Sequence, residues 1–268
     1  MILTVYSLVT ATPKLYLMAM NVVVDNLLTH YQKQGAGPAV LLLHGWGDNL
    51  KGLAGLQKAL AQKFTVVSLD LPGFGASQAP TGVWNLDNYS TFMHDFLLKI
   101  QLQPYAVIGH SNGGALAIRA TSLKQINPDK LILVAASGVR NKQSGKRLAL
   151  MMIAKTGSAA TIFLPKTSRT KLRKKLYGRV GSDLLVMEHL QDTFKATVRQ
   201  DVQADAAALS IPTLLIYADQ DKAVPIADGH TYNKLIKNSR LEIVAGASHF
   251  VHLDEPAKVA GLIAEFLT

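Results

Sequence analysis

Residues 105–113 are Tyr105-Ala106-Val107-Ile108-Gly109-His110-Ser111-Asn112-Gly113, a short apolar run that leads into a serine between two glycines. This pattern predicts a sharp turn between a buried strand and a helix, since glycines relieve the crowding at such a turn. The strained backbone holds the Ser111 hydroxyl outward, where it can act as a nucleophile. An alternative interpretation is an ordinary glycine-rich turn whose serine caps the helix. The rest of the chain decides between these two.

Apolar runs without polar alternation recur along the chain and are separated by helix-like stretches. Such runs fit strands that are covered on both faces, so we predict an α/β fold with a mostly parallel, doubly wound sheet. Residues 22–31 predict a leading pair of strands joined near Asp25-Asn26. The apolar runs are Val40–Leu43, Val66–Leu69, Ala106–Ile108, Leu131–Val134, Thr213–Tyr217 and Leu241–Val244, and the helix-like stretches are Leu53–Gln62, Tyr89–Ile100, Gly113–Leu123 and Ala257–Leu267.

An insertion interrupts this alternation after Ser137, and the alternation resumes at Ile211-Pro212. Residues 148–154 and 184–198 have helical composition, so we predict a helical cap subdomain over residues 138–208, inserted after the sixth strand. The cap is expected over the strand ends, where parallel sheets bind ligands. Residues 1–137 and 209–268 then form the core, with residues 1–20 as a loosely held extension.

The net charge of +10 is concentrated in the predicted cap, where residues 138–208 contain 14 Lys and Arg against 5 Asp and Glu. Because the charge is local, we expect no nucleic-acid partner. Three interpretations stay open. The basic residues attract anionic or carrier-bound substrates, or they rest on an anionic lipid surface beside the apolar residues 148–153, or they form a solvated face.

Composition excludes several classes of protein and of site. A chain of 268 residues that is 49% hydrophobic can bury a large core as one domain. The absence of cysteine rules out disulfides, zinc-thiolate sites and thiol catalysis, and it suits a reducing compartment. Residues 1–12 lack a basic leading segment, so we expect no signal peptide, no transmembrane segment and a cytoplasmic location. Neither a His-Glu-x-x-His nor a Gly-x-Gly-x-x-Gly motif is present, and we expect no metal and no cofactor.

A serine nucleophile needs a base that takes its proton and an acid that orients the base. Both are found after the last two apolar runs of the chain. Residues 245–249 end in His249, and residues 218–225 contain Asp221. We therefore predict Ser111, Asp221 and His249 as the catalytic residues.

The order nucleophile, acid, base is that of the α/β-hydrolase superfamily, which this chain resembles in four motifs. The resemblance covers most of residues 22–268 except the cap. It implies an oxyanion hole formed by the backbone N–H groups of Trp46 and Asn112. The motifs are His44-Gly45-Trp46-Gly47, the loop Asp70–Ser77, the acid loop Asp221–Pro225, and the turn Gly246–His249 with Asp254-Glu255-Pro256.

Two assignments have competitors nearby in the sequence. Asp219 lies close to Asp221, but the Asp-x-x-Val-Pro pattern of the family favours Asp221. His252 follows His249, but the family's spacing to the acidic-Pro pair favours His249. The remaining histidines are assigned no catalytic role: His44 and His110 are expected to make structural hydrogen bonds, and His30, His94, His189 and His230 have no supporting context.

The resemblance implies a serine hydrolase that cleaves a carboxylic ester or related acyl compound through an acyl-enzyme on Ser111, with a small-molecule acyl substrate. A serine in this position argues against the haloalkane dehalogenase and epoxide hydrolase branches, which use a carboxylate. Alternatives are the carbon-carbon hydrolases, whose Gly-Pro-Gly is missing here, and the pimeloyl-carrier methyl ester esterases, which differ at His110 and Asn112. A catalytically silent ligand-binding protein of the same fold is a further alternative.

Overall fold

The computed structural model describes residues 17–140 and 190–268, which form one sheet between two layers of helices. The strands are β1 (Met18–Val24), β2 (Leu27–Gln34), β3 (Ala39–Leu43), β4 (Thr65–Leu69), β5 (Ala106–His110), β6 (Lys130–Val134), β7 (Thr213–Ala218) and β8 (Ser239–Val244). Their order across the sheet is β1-β2-β4-β3-β5-β6-β7-β8. β1, β2 and β4 pair antiparallel, and every pair from β4 to β8 is parallel.

Helices connect the parallel strands and cover both faces of the sheet. Within the described ranges they are α1 (Ala54–Leu60), α2 (Leu86–Lys99), α3 (Asn112–Ser122), α4 (Gln191–Arg199), α5 (Gln203–Ala208), α6 (Ile226–Leu235), α7 (Val251–Asp254) and α8 (Pro256–Leu267), with a 3₁₀ turn at Leu50–Leu53. The alternation of strands and helices confirms the predicted doubly wound α/β fold. None of these helices has the length and apolar character that crossing a membrane requires.

The central strands are buried on both faces. Successive side chains of each strand point to opposite faces of the sheet, and each face is covered by its own hydrophobic core. Leu41 and Val107 pack with α2 and α3 on one face, while Leu42 and Ile108 pack with α1 and α8 on the other. Both sets are excluded from water, which explains why these strands are apolar without alternation. The sheet is therefore rigid where β3, β5, β6 and β7 end.

The structure corrects the boundary predicted for the N-terminal extension. β1 begins at Met18, which pairs with Lys33, and Met20 pairs with Tyr31. Residues 18–20 thus belong to the sheet rather than to a loose extension over residues 1–20. The predicted leading pair of strands is present, and its first strand starts before residue 22 because residues 18–21 pair with the end of β2.

The predicted cap of residues 138–208 is described only at its two ends, since residues 141–189 lie outside the described residues. These include the predicted apolar helix at 148–154 and most of the basic side chains. α4 and α5 fall inside the predicted range, and α5 packs against α3 and α6 of the core. The division of the chain into cap and core remains a prediction, but α5 lies in the helical layer of the core.

Hydrogen bonds tie α4 and α5 to the core. Thr193 Oγ1 accepts from the Trp84 amide at 3.1 Å, and Gln200 Oε1 accepts from the Leu86 amide at 2.6 Å. Arg119 of α3 forms ion pairs with Asp87 at 2.7 Å and with Asp205 of α5 at 2.9 Å. The chain that re-enters the core after residue 190 is therefore fixed against α2 and α3.

Two backbone segments come into direct contact where β3 and α3 meet. A Cβ added at Gly113 would collide with the carbonyl oxygens of Leu43 and His44. A Cβ at Gly109 would collide with the backbone of Gly113 and Gly114. Only glycine allows α3 to begin this close to the neighbouring strand.

We expect Gly113→Ala to lower the free energy of unfolding by about 1–3 kcal/mol, because carbonyl oxygens in a packed core cannot move aside. Gly261→Ala is the control, since Gly261 lies in α8 with no atom within 4 Å of an added Cβ. The control should raise stability by about 1 kcal/mol through helix propensity. Urea unfolding of both variants measures the difference. Equal effects of the two substitutions would contradict the close contact.

Candidate active site

The predicted site residues come together at the carboxyl edge of the parallel strands. Ser111 directly follows β5, Asp221 follows β7, His249 follows β8, and Trp46 follows β3. Carboxyl ends of parallel strands face the same side of a sheet, which is where such folds bind ligands. Four loops that are far apart in sequence therefore converge.

Ser111 occupies a strained turn between β5 and α3. Its φ of +52° and ψ of −116° are rare for a residue with a side chain. The turn is held by hydrogen bonds from the Ser111 amide to the Val134 carbonyl and from the Ser137 amide to the Ser111 carbonyl, at 3.0 and 3.1 Å. The hydroxyl does not cap α3. It points instead to His249.

A chain of hydrogen bonds joins Ser111, His249 and Asp221. The Ser111 Oγ lies 3.0 Å from His249 Nε2, and His249 Nδ1 lies 2.7 Å from Asp221 Oδ2. Because a carboxylate only accepts, Nδ1 carries the proton and Nε2 presents its lone pair to the serine. The Asp221 side chain is fully buried, whereas His249 retains 15% exposure.

The Asp221 carboxylate is fixed by two backbone amides as well as by His249. Its Oδ1 accepts from the amides of Ala223 at 2.7 Å and Val224 at 2.8 Å. These bonds satisfy the buried charge and set the direction of Oδ2. The carboxylate can therefore orient His249 without moving itself.

The competing residues make other contacts. Asp219 Oδ1 accepts from the Gly246 amide at 2.7 Å. This carboxylate therefore holds the histidine loop, residues 245–249, at Gly246. Asp254 Oδ2 accepts from both the amide and the hydroxyl of Ser248, which lowers the pKa of Asp254. His252 lies buried beneath the site, with its ring centroid 4.5 Å from that of His110.

The two residues predicted to supply the oxyanion hole both belong to segments that adjoin Ser111. Asn112 is the first residue of α3, where helix amides lack partners inside the helix and favour negative charge. Trp46 belongs to the loop after β3, and a Cβ added to its neighbour Gly45 would lie 3.1 Å from Ser111 Cβ. Among the hydrogen bonds of the described residues, none uses the amides of Trp46 or Asn112. The assignment of these amides to an oxyanion hole remains a prediction.

His44 makes the structural hydrogen bonds expected of it. Its Nδ1–H donates to the Gly45 carbonyl at 2.8 Å, and its Nε2 accepts from the Leu71 amide at 3.0 Å. Burial lowers the pKa of His44, so the ring stays neutral and keeps both bonds. The ring therefore connects the Trp46 loop to the loop Asp70–Ser77.

Aromatic side chains cover Trp46, and one of them was not found by sequence reasoning. The Trp46 ring contacts Phe74 at 4.9 Å and Phe194 at 5.1 Å, both edge to face. Phe194 belongs to α4, in the predicted cap range, and no motif marks it. The signal that could have found it is the amphipathic pattern of α4, which predicts that one face of this helix packs on the core.

Metal coordination is not indicated by the arrangement of side chains in the described ranges. Over residues 17–140 and 190–268, no three His, Asp or Glu side chains are grouped so that they could hold a metal ion. What the arrangement can do chemically is move a proton between Ser111 and His249.

Comparison with known proteins agrees with the α/β fold described above. Residues 40–262 match the model of the Alpha/beta hydrolase family. A protein of Mycobacterium tuberculosis strain H37Rv, itself uncharacterised, is 30% identical over 260 residues, which cover 87% of this chain and 76% of that protein. Human monoacylglycerol lipase ABHD6 is 24% identical over 262 residues, covering 88% and 77% of the two chains. The crystal structure of a bacterial membrane phospholipase A has a TM-score of 0.74 at 22% identity, covering 94% and 86%.

The pH dependence of stability follows from three buried histidines, His44, His110 and His252, whose pKa values are lowered chiefly by burial. As the pH falls through about 6.5, the unfolded chain takes up protons that the folded protein does not. We therefore expect the free energy of unfolding to fall below that pH, by about 1.4 kcal/mol per pH unit for each such proton.

Urea unfolding at pH 7.5 and 5.5 measures this loss. His110→Gln removes the histidine whose pKa is lowered most strongly, so the variant should lose less stability over the same interval. A wild-type stability that stays constant between these two pH values would show that the buried rings are not held neutral.

Proposed function

The chain belongs to the α/β hydrolase family, and on that premise we propose that it is a serine hydrolase that cleaves carboxylic esters. The observation that carries the proposal is the 3.0 Å contact between Ser111 Oγ and His249 Nε2, with Asp221 bonded to the far side of the same ring. A strained serine, an oriented base and a buried acid are the parts that acyl transfer requires.

In the first half of the proposed reaction, His249 takes the proton of Ser111 while Oγ attacks the ester carbonyl. The carbonyl oxygen becomes an oxyanion, which the backbone N–H groups of Trp46 and Asn112 stabilise. His249, now protonated and paired with Asp221, gives its proton to the alcohol oxygen as the carbon-oxygen bond breaks. The acyl group remains on Ser111.

In the second half, water replaces the alcohol. His249 removes a proton from the water, the hydroxide oxygen attacks the acyl carbon, and the same amides stabilise the second oxyanion. The proton then returns to Ser111 Oγ as the acid leaves. Asp221 stays ionised throughout, because it serves to hold the tautomer and to balance the imidazolium charge.

Two observations support an ester with an apolar acyl part. Phe250, next to His249, is 42% exposed, and its ring centroid lies 5.5 Å from that of His249. The name of the human relative, a monoacylglycerol lipase, refers to a lipid ester. The anionic, carrier-bound and lipid-surface interpretations of the basic segment rest on residues outside the described ranges, and they stay predictions, as does a cytoplasmic location.

Ser111→Ala should abolish both covalent labelling by a fluorophosphonate probe and turnover of a p-nitrophenyl ester, since the attacking oxygen is removed. Ser239→Ala is the control. Ser239 is the first residue of β8, so it lies at the amino ends of the parallel strands, whereas the site lies at their carboxyl ends. Mass spectrometry and absorbance at the nitrophenolate band report the two outcomes. A folded wild-type protein that is not labelled would favour the silent binding protein. Labelling without ester turnover would favour carbon-carbon hydrolysis or another acyl substrate.

Asp221→Asn should lower kcat by about 10⁴-fold with a normal fold, because the amide stabilises the wrong histidine tautomer. Asp219→Asn is the matched control, since its retained oxygen can still accept from the Gly246 amide. The control should keep kcat near the wild-type value. Steady-state kinetics on the same ester compares them, and a larger loss in the Asp219 variant would reassign the acid.

A further inference from the structure

The His110 side chain lies on the same face of β5 as the histidine loop. Successive side chains of a strand alternate between faces, so His110 shares its face with Ile108 and not with Val107. Ile108 packs in the core that contains Ala247 and Val251, which flank His249 in sequence. The residue before Ser111 is thereby directed at the loop that carries the proposed base.

Three parts of the site meet at this one ring. The Nε2–H of His110 donates to the backbone carbonyl of His249 at 3.0 Å. Its Nδ1 faces the oxyanion loop, the segment His44–Gly47 after β3. A Cβ added at Gly45 in this loop would lie 3.1 Å from Nδ1. Since His110 also belongs to the turn that holds Ser111, the ring touches the nucleophile turn, the oxyanion loop and the histidine loop together.

The His110 ring is closely packed in the core beneath the site. Only 2% of the residue is exposed, and the His252 ring stands against it at 4.5 Å with an interplanar angle of 63°. Among the described residues, no hydrogen bond is made to Nδ1. Burial and the neighbouring histidines lower the pKa of His110 well below its usual value, which preserves the neutral ring with its proton on Nε2.

The loop of residues 245–249 needs such a support because it follows β8, the outermost strand in the described part of the sheet. Gly246 has a φ of +77° and leaves open space where a side chain would be. Asp219 holds the loop at Gly246, and Asp254 holds it at Ser248. Of these three anchors, His110 alone bonds the backbone of His249 itself, and it does so from the residue adjacent to Ser111.

We propose that His110 is a positioning residue, whose Nε2–H bond to the His249 carbonyl sets the distance between His249 Nε2 and Ser111 Oγ. This inference rests on the proposed function, since it concerns the geometry of that same proton transfer. A displacement of about 1 Å between reacting groups costs about 10²-fold in rate, so one backbone bond is sufficient to matter.

The test compares two substitutions of His110. His110→Leu keeps an apolar body but removes the donor, and it should lower kcat on a p-nitrophenyl ester about 10- to 100-fold with KM nearly unchanged. His110→Gln places an amide N–H near the position of Nε2, and it should recover most of that loss. The rate of fluorophosphonate labelling should follow the same order, because labelling uses the same activated serine.

The control is His94→Leu. His94 lies on α2, away from the site, and its Nδ1 bonds to the Gln125 carbonyl at 2.9 Å, so this variant also removes a bond from a histidine ring to a backbone carbonyl. It should leave kcat unchanged. Circular dichroism at the assay temperature and titration of labelled sites correct each rate for the folded fraction.

The outcomes separate this inference from the proposed function. If His110→Leu keeps the wild-type kcat per folded site, or if His110→Gln recovers none of the lost kcat, His110 has no positioning role. The proposed function still stands in that case when Ser111→Ala is inactive. If Ser111→Ala retains full activity, the proposed function itself fails. A kcat loss in the Leu variant that the Gln variant reverses establishes the role.

Discussion

At the turn between β5 and α3, the backbone of Gly113 passes directly against the carbonyl groups of Leu43 and His44. This contact fixes how far α3 reaches toward β3, and it therefore fixes the distance between the Ser111 turn and the Trp46 loop. The strain at Ser111 is tolerated because β5 lies between β3 and β6 and cannot shift. The remainder of the site is added around this rigid centre.

Hydrogen bonds to backbone groups, more than contacts between side chains, hold the other loops in place. Asp221 is fixed by the amides of Ala223 and Val224, and His44 joins Gly45 to Leu71. Because one partner in each of these bonds is a main-chain N–H or C=O group, the bonds depend on the path of the main chain. The positions of Asp221 and of the Trp46 loop are therefore set largely by the main chain around them.

Much of this arrangement could be predicted from the sequence, because the central strands are apolar on both faces and the predicted catalytic residues lie within five residues of the ends of β5, β7 and β8. Parallel strand direction places Ser111, Asp221 and His249 at the same edge of the sheet, and the loop contacts then bring their side chains together. The contact of Phe194 with Trp46 could not be predicted, since it joins residues far apart in the chain that share no motif. The start of β1 at Met18 was also missed, because pairing with β2 determines it.

The position of β8 has a consequence for how the molecule responds to heat. Within residues 17–140 and 190–268, β8 is the outermost strand and pairs only with β7, whereas β5, which precedes Ser111, lies between β3 and β6. Local opening of an edge strand requires less free energy than opening of a central one. Opening at β8 would move His249 away from Ser111, and it would disturb the core that holds Val244 and Ala247 before the central strands separate. On warming, we thus expect the contact between His249 and Ser111 to be lost at the margin of the sheet before the middle of the sheet melts.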